Sequence, residues 1–231
     1  VYGGAGVHVE YLSRALARLV KVEVRRFGGP AVANEGPITV RGYEPWEEMA
    51  RNTDPRFTSA LGAFSRSLAM AKDRLEADVV HCHTWYTQMG GLVASQLWDV
   101  PYLVTTHSLE PLRPWKAEQL GTAYTLSSWM ERTALENADR IITVSRETER
   151  DVHTHFTGVE DRTRVIHNGI DLDEYRPDKS FDAIQRHGID PHKPYILFVG
   201  RITRQKGIIH LVNAIPFIDP NVQIVLLAGA P

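Results

Sequence analysis

The chain has 231 residues, 43% apolar and 23% charged, which fits one large or two smaller globular domains able to bury a sizeable core. Its formal net charge of -2 and isoelectric point near 6.6 exclude a global pull toward nucleic acid or an anionic membrane, so any anion site must be a local cluster of cations. A lone cysteine, Cys82, excludes an intrachain disulfide framework, and neither an apolar run of transmembrane length nor a secretory leader is read, which makes the cytoplasm the default location.

The chain opens on Gly3, Gly4, Ala5 and Gly6, leading into a run whose Val9, Leu12, Leu16 and Leu19 recur at helical spacing. A glycine loop at a helix N-terminus lets backbone approach a phosphate or sugar, although a tight strand-to-helix turn would look the same. Such a loop normally follows a buried strand, and that first strand is read as missing. A dinucleotide fingerprint is not met, because the further glycine and the acidic residue ending a second strand are lacking. Strands are predicted over residues 21–25 and 37–40, then a loop from Gly42 to Pro55 and an amphipathic helix from Phe57 to Leu75.

Residues 78–83 read as a buried strand, 88–97 as a helix and 101–106 as the next strand, which stops at His107. His107 therefore falls at the carboxyl edge where open α/β sheets bind ligands. His81 and His83 lie two apart and face one side of their strand. With no Cys, Asp or Glu at ligand spacing beside them, no metal is expected. Arg113 and Lys116 flank a rigid Pro-Trp turn near the same edge, where they either bind an anionic acceptor group or simply stand in solvent. A long helix over 118–137, a strand over 140–145, a helix over 147–155 and a strand over 163–166 continue the alternation. The pattern predicts the α/β class with a doubly wound parallel sheet.

Residues 177–194, rich in Pro, Asp, Lys and Gly, read as a linker with one short helix, which divides the chain into a domain over 1–176 and a second one begun over 195–231. The second series has a strand from Tyr195, a helix over 208–215 and a strand over 222–228. Two strands and one helix cannot bury both faces of a parallel sheet, so this domain is expected to be truncated. Its first strand stops at Gly200, and Arg201 and Lys206 follow five positions apart. Two cations at a strand end suit a diphosphate; an exposed basic turn is the alternative. A P-loop is not met, since Gln205 stands where its second glycine belongs and Gly207 where a Ser or Thr would hold magnesium.

Taken together, residues 2–8, 80–86, 106–116, 143–145, 167–171 and 200–207 resemble the retaining glycosyltransferases with the GT-B fold that include bacterial glycogen synthases, a group of the family 4 type. The segment from Ser108 to Lys116 is most similar to actinobacterial-type glycogen or maltose-1-phosphate synthases. Val1 and Tyr2, where many glycogen synthases carry a lysine, and Thr84, where an aspartate is frequent, fit that subgroup. The resemblance implies an N-terminal Rossmann-like parallel-sheet domain on the acceptor side and the start of a second, nucleotide-sugar-binding one. It also implies that Gly3 and Gly4 lie beside the donor diphosphate, that His107 contacts the transferred sugar, and that Arg201 and Lys206 neutralise the leaving diphosphate. The family's two glutamates would lie beyond Pro231. No cofactor is implied, because nucleoside-diphosphate glucose is a substrate.

The leading expectation is a metal-independent transfer of glucose from ADP-glucose or UDP-glucose to an α-glucan or glucose 1-phosphate with retention, the fragment alone being inactive. The alternatives are a non-catalytic sugar- or nucleotide-binding module, another hexosyltransferase of the sucrose or trehalose type, and a sugar-phosphate epimerase. Donor base, acceptor and oligomeric state stay open.

Overall fold

The computed structural model describes residues 3–29, 32–51, 53–113, 117, 121–178, 180–203 and 206–229. The chain divides into two compact units, Val1–Gly169 and Ile170–Pro231. No helix among the described residues is long and apolar enough to cross a membrane.

In the first unit, helix α1 (Gly3–Leu16) precedes β1 (Val22–Phe27), β2 (Val32–Glu35) and β3 (Ile38–Tyr43). These strands form a sheet in the order β1-β3-β2, with β1 parallel to β3, Val24 opposite Val40, and β2 antiparallel at the edge. The sequence reading has no β2, because all four of its residues are exposed. Such an edge strand is held by main-chain pairing and leaves no apolar alternation to detect. Two other expectations are corrected here. The glycine stretch is not a loop before the helix but the first turn of α1, and Leu19, at 81% exposure, lies beyond the helix end.

A short helix α2 (Glu47–Ala50) sits inside the segment expected to be loop, and α3 (Pro55–Lys72) follows. Asp54 caps α3, its carboxylate accepting the Arg56 N–H at 2.9 Å, while Pro55 occupies a position whose N–H would have no helical partner. The inward face of α3 is built of small residues, including Ala60, Gly62, Ala63 and Ser67. Arg25 of β1 donates to the carbonyls of Met70, Asp73 and Arg74, tying the first sheet to the end of α3.

The second sheet is β4 (Val80–His83), β5 (Tyr102–Thr106), β6 (Arg140–Thr143) and β7 (Thr163–Val165), all parallel and in sequence order. The crossovers are α4 (Trp85–Trp98), α5 (Thr122–Glu136) and α6 (Arg146–His155). The four carboxyl ends consequently share one edge. Among the described residues no strand bridges β1 and β4, so the first unit holds two sheets where the sequence reading has one. The main core lies on β5, β6 and their helices, where Val104, Met130, Leu135, Ile141, Val152 and Phe156 are at most 2% exposed.

Helix α4 packs closely because of two glycines. A Cβ on Gly90 would lie 3.1 Å from the Ser67 carbonyl oxygen of α3, and one on Gly91 would meet Cys82 Sγ at 2.3 Å and the Tyr102 ring at 2.5 Å. Burial pushes the Cys82 thiol up to about 12, as expected of a packing cysteine. Inside a free helix Gly→Ala stabilises by about 1 kcal/mol. At position 91 the sign should reverse, with a loss of about 1–3 kcal/mol in urea denaturation. A stabilised Gly91→Ala variant would show that the contact is not tight.

In the second unit, α7 (Asp182–Arg186) precedes β8 (Tyr195–Arg201), α8 (Ile208–Ala214) and β9 (Gln223–Gly229). β8 and β9 pair in parallel from Tyr195 opposite Gln223 to Arg201 opposite Gly229. The Gln223 side chain both accepts from and donates to the backbone of Asp190 at 2.8 Å, which fixes the incoming segment to the sheet.

Candidate functional site

The parallel register puts His83 opposite Thr105, so the ends of β4 and β5 are level and His107 projects from the same edge. His83 Nδ1 lies 3.3 Å from His107 Nε2, and His81 Nε2 lies 2.7 Å from Thr105 Oγ1. A third element joins them. His8 of α1 packs its ring 4.7 Å from His107 and 5.4 Å from His83, centroid to centroid, while the rings of His81 and His83 are 4.3 Å apart. Gly3 and Gly4 open this same helix, and their main-chain N–H groups, like the others of a first turn, have no intrahelical acceptor.

Four imidazoles in one place repel as cations. Burial first, and then mutual repulsion, push His83 down to about 2 and His81 and His107 to about 4, while burial alone lowers His8. At neutral pH the edge therefore presents uncharged rings, able to donate to or accept from a neutral hydroxyl. The same shifts set a stability trend. The unfolded histidines take up protons near 6.5, and folded His81 and His107 only near 4. Between those values the unfolded chain binds more protons, so stability falls as the pH falls through this window. Denaturant midpoints measured with a chelator present should decline from about pH 6.5 to about pH 4, and less steeply in His81→Asn.

One residue joins β4 to α4. Thr84 adopts φ 66° and ψ 154°, a region that a β-branched side chain rarely enters. The hydroxyls of Thr84 and Thr87 both donate to the His83 carbonyl, the latter at 2.6 Å. The strained turn is thus held at the foot of the histidine cluster.

Arg113 follows a 3-10 turn over Glu110–Leu112. It is not a free solvated cation: its Nη1 lies 3.8 Å from Oε1 of Glu110, a carboxylate only 1% exposed. Glu131 accepts the Glu110 N–H at 2.7 Å, and Ser127 donates to Glu110 at 2.9 Å. Lys116 lies outside the described residues. Arg201 and Lys206 belong to the second unit. Arg201 ends β8, and the Lys206 stem returns to that strand end, its Cγ 3.9 Å from where a Gly200 Cβ would stand. Both cations are exposed, and among the described residues neither forms an ion pair.

Residues 2–174 match the family model described as Glycosyltransferase Family 4. The chain belongs to glycosyltransferase family 4. An alpha-maltose-1-phosphate synthase of Mycolicibacterium smegmatis is 46% identical to this family 4 chain over 241 residues, covering 100% of the chain and 58% of the relative. Its namesake in Mycobacterium tuberculosis is 43% identical over 237 residues with the same coverage. The chain spans 58% of the length of both relatives. Among solved structures, sucrose-phosphate synthase from Thermosynechococcus elongatus aligns with a TM-score of 0.74 at 24% identity, covering 97% of this chain and 56% of that one. Anabaena HepE in complex with UDP and glucose aligns at 0.68 and 17% identity, covering 99% and 58%. The fold is α/β of the GT-B type, of which the chain covers a part.

Sequence reasoning missed His8 and the buried Glu110–Glu131 pair. His8 has a weak signal: it stands about one helical turn after Gly4, so it shares the helix end that the glycines mark. The carboxylates have none, because nothing in a proline-containing turn or in a polar stretch of helix announces that Glu110 of the one and Glu131 of the other are buried.

Proposed function

We propose that the full-length protein is a retaining hexosyltransferase that moves glucose from ADP-glucose or UDP-glucose to glucose 1-phosphate or an α-glucan. The observation that carries this reading is the uncharged histidine edge of β4 and β5, in a family 4 chain 46% identical to an alpha-maltose-1-phosphate synthase. His107 would hold a hydroxyl of the transferred sugar and orient it, with no covalent role. The N–H groups at the start of α1, Gly3 and Gly4 included, would face the donor diphosphate. Arg201 and Lys206, unpaired among the described residues, would take the charge that builds on the leaving diphosphate as the glycosidic bond breaks. Those two cations supply the electrostatic stabilisation, and the reading calls for no resident metal or other cofactor. Arg113, steadied by Glu110, is the acceptor-side candidate for an anionic group, with Lys116 three residues on in the sequence. Domains over 1–176 and 195–231 joined by 177–194 would divide acceptor from donor functions, in the cytoplasm.

Proton NMR of the product formed from ADP-glucose or UDP-glucose with glucose 1-phosphate tests the reading. An α-linked product and released nucleoside diphosphate are expected. A β-linked product removes retention, and an epimerised donor with no transfer removes the transferase. Residues 1–231 alone are expected to be inactive in that assay.

A further inference from the structure

We propose that His8, His83 and His107 form a three-imidazole site for a zinc-type divalent ion, with a fourth position open to solvent. Their ring nitrogens all lie within 4.8 Å of one another. Four-coordinate tetrahedral zinc, at about 2.0–2.1 Å per Zn–N bond, needs ligand nitrogens about 3.3 Å apart. His83 Nδ1 and His107 Nε2 stand 3.3 Å apart, the spacing of two ligands on one ion, which would replace the hydrogen bond that now joins them. His8 supplies the third imidazole, its ring 4.7 Å from that of His107 and 5.4 Å from that of His83, centroid to centroid. The three ligands come from three elements, α1, β4 and the end of β5.

The donor chemistry selects the ion. Three imidazole nitrogens and no carboxylate make a poor site for magnesium or calcium, which take oxygen ligands. The same set suits zinc, copper or nickel, and three histidines with one open position is the pattern of an accessible zinc site. His81 is not a fourth ligand. Its Nε2 is engaged with Thr105 Oγ1 at 2.7 Å, and its ring backs His83 at 4.3 Å, a supporting position behind the ligands. The ion is not a cofactor for transfer. It would take up the space beside His107 in which the sugar is proposed to sit, so zinc and sugar should exclude one another. That last consequence rests on the proposed function; the site itself does not.

The test is titration of the full-length protein, dialysed against chelator, with Co²⁺ followed by visible absorption and with Zn²⁺ followed by calorimetry. Saturable binding of a single ion with the intense bands of tetrahedral Co²⁺ is expected. Loss of a mere supporting partner weakens a metal site about 10–100-fold, so His8→Gln and His83→Gln should each weaken binding about 100-fold or more. His187→Gln, an exposed residue of the second unit, should bind as wild type. Circular dichroism identifies a variant that has not folded, and His8→Gln, on a half-buried helix face, decides the matter should His83→Gln fail. No saturable binding, or equal affinity in folded His8→Gln, overturns the site. Binding as expected while zinc leaves transfer untouched keeps the metal site and removes the sugar contact of His107.

Discussion

If the full-length protein carries the proposed transfer, Lys206→Ala should lower its kcat by about 100-fold or more, and Arg201→Ala should do the same. Each removed donor to a developing oxyanion costs roughly 3 kcal/mol in sites of this kind. With about 1.4 kcal/mol per tenfold, that corresponds to two decades in rate. Neither cation is paired among the described residues, so neither has to leave a carboxylate to serve a diphosphate. The Lys206 stem lies against Gly200, one residue before the end of β8. The loss should fall on kcat more than on KM, because the charge appears as the bond breaks and the stabilisation is therefore made in the transition state. Steady-state kinetics with a saturating donor measure it. Unchanged kinetics would end the diphosphate role.

His107→Ala should abolish measurable transfer while donor binding, followed by calorimetry, largely survives. The imidazole is half-buried and neutral, held against His83 at 3.3 Å and against the His8 ring. On the proposed reading it fixes a hydroxyl group of the sugar, which is why affinity for the nucleotide part should persist. Wild-type turnover in this variant would sink the assignment. A parallel loss of donor affinity would shift His107 from orienting the sugar to binding the donor as a whole.

Much of the fold was legible in the sequence because parallel strands buried on both faces leave near-continuous apolar runs. β5 and β6 stand out for that reason, and their predicted bounds agree with the structure to within two residues. β2 was not legible, being exposed at every position, and α2 was hidden in a segment whose Pro, Trp and Asn content reads as loop. The predicted end of α1 followed helical spacing past the point where the chain turns, since Leu19 keeps the period but lacks a partner to bury it. At the site, His107 could be placed from its strand end alone. The convergence of His8 on His83 and His107 could not, because it depends on how α1 lies over the sheet edge, a tertiary fact. Nor could the tie between Arg113 and buried Glu110, which turns an apparent surface cation into a braced one.

The single-residue link at Thr84 has a mechanical meaning for this edge. With no slack between β4 and α4, any sliding of the helix is passed directly to His83. The helix is itself wedged by Gly90 and Gly91 against Ser67, Cys82 and Tyr102. His83 is in effect the tip of a lever whose fulcrum is the glycine pair, about two turns away along α4. Variation in length can therefore be absorbed after β5, where the chain has a turn to spend, but not after β4, where one added residue would swing the histidine out of register with its neighbours.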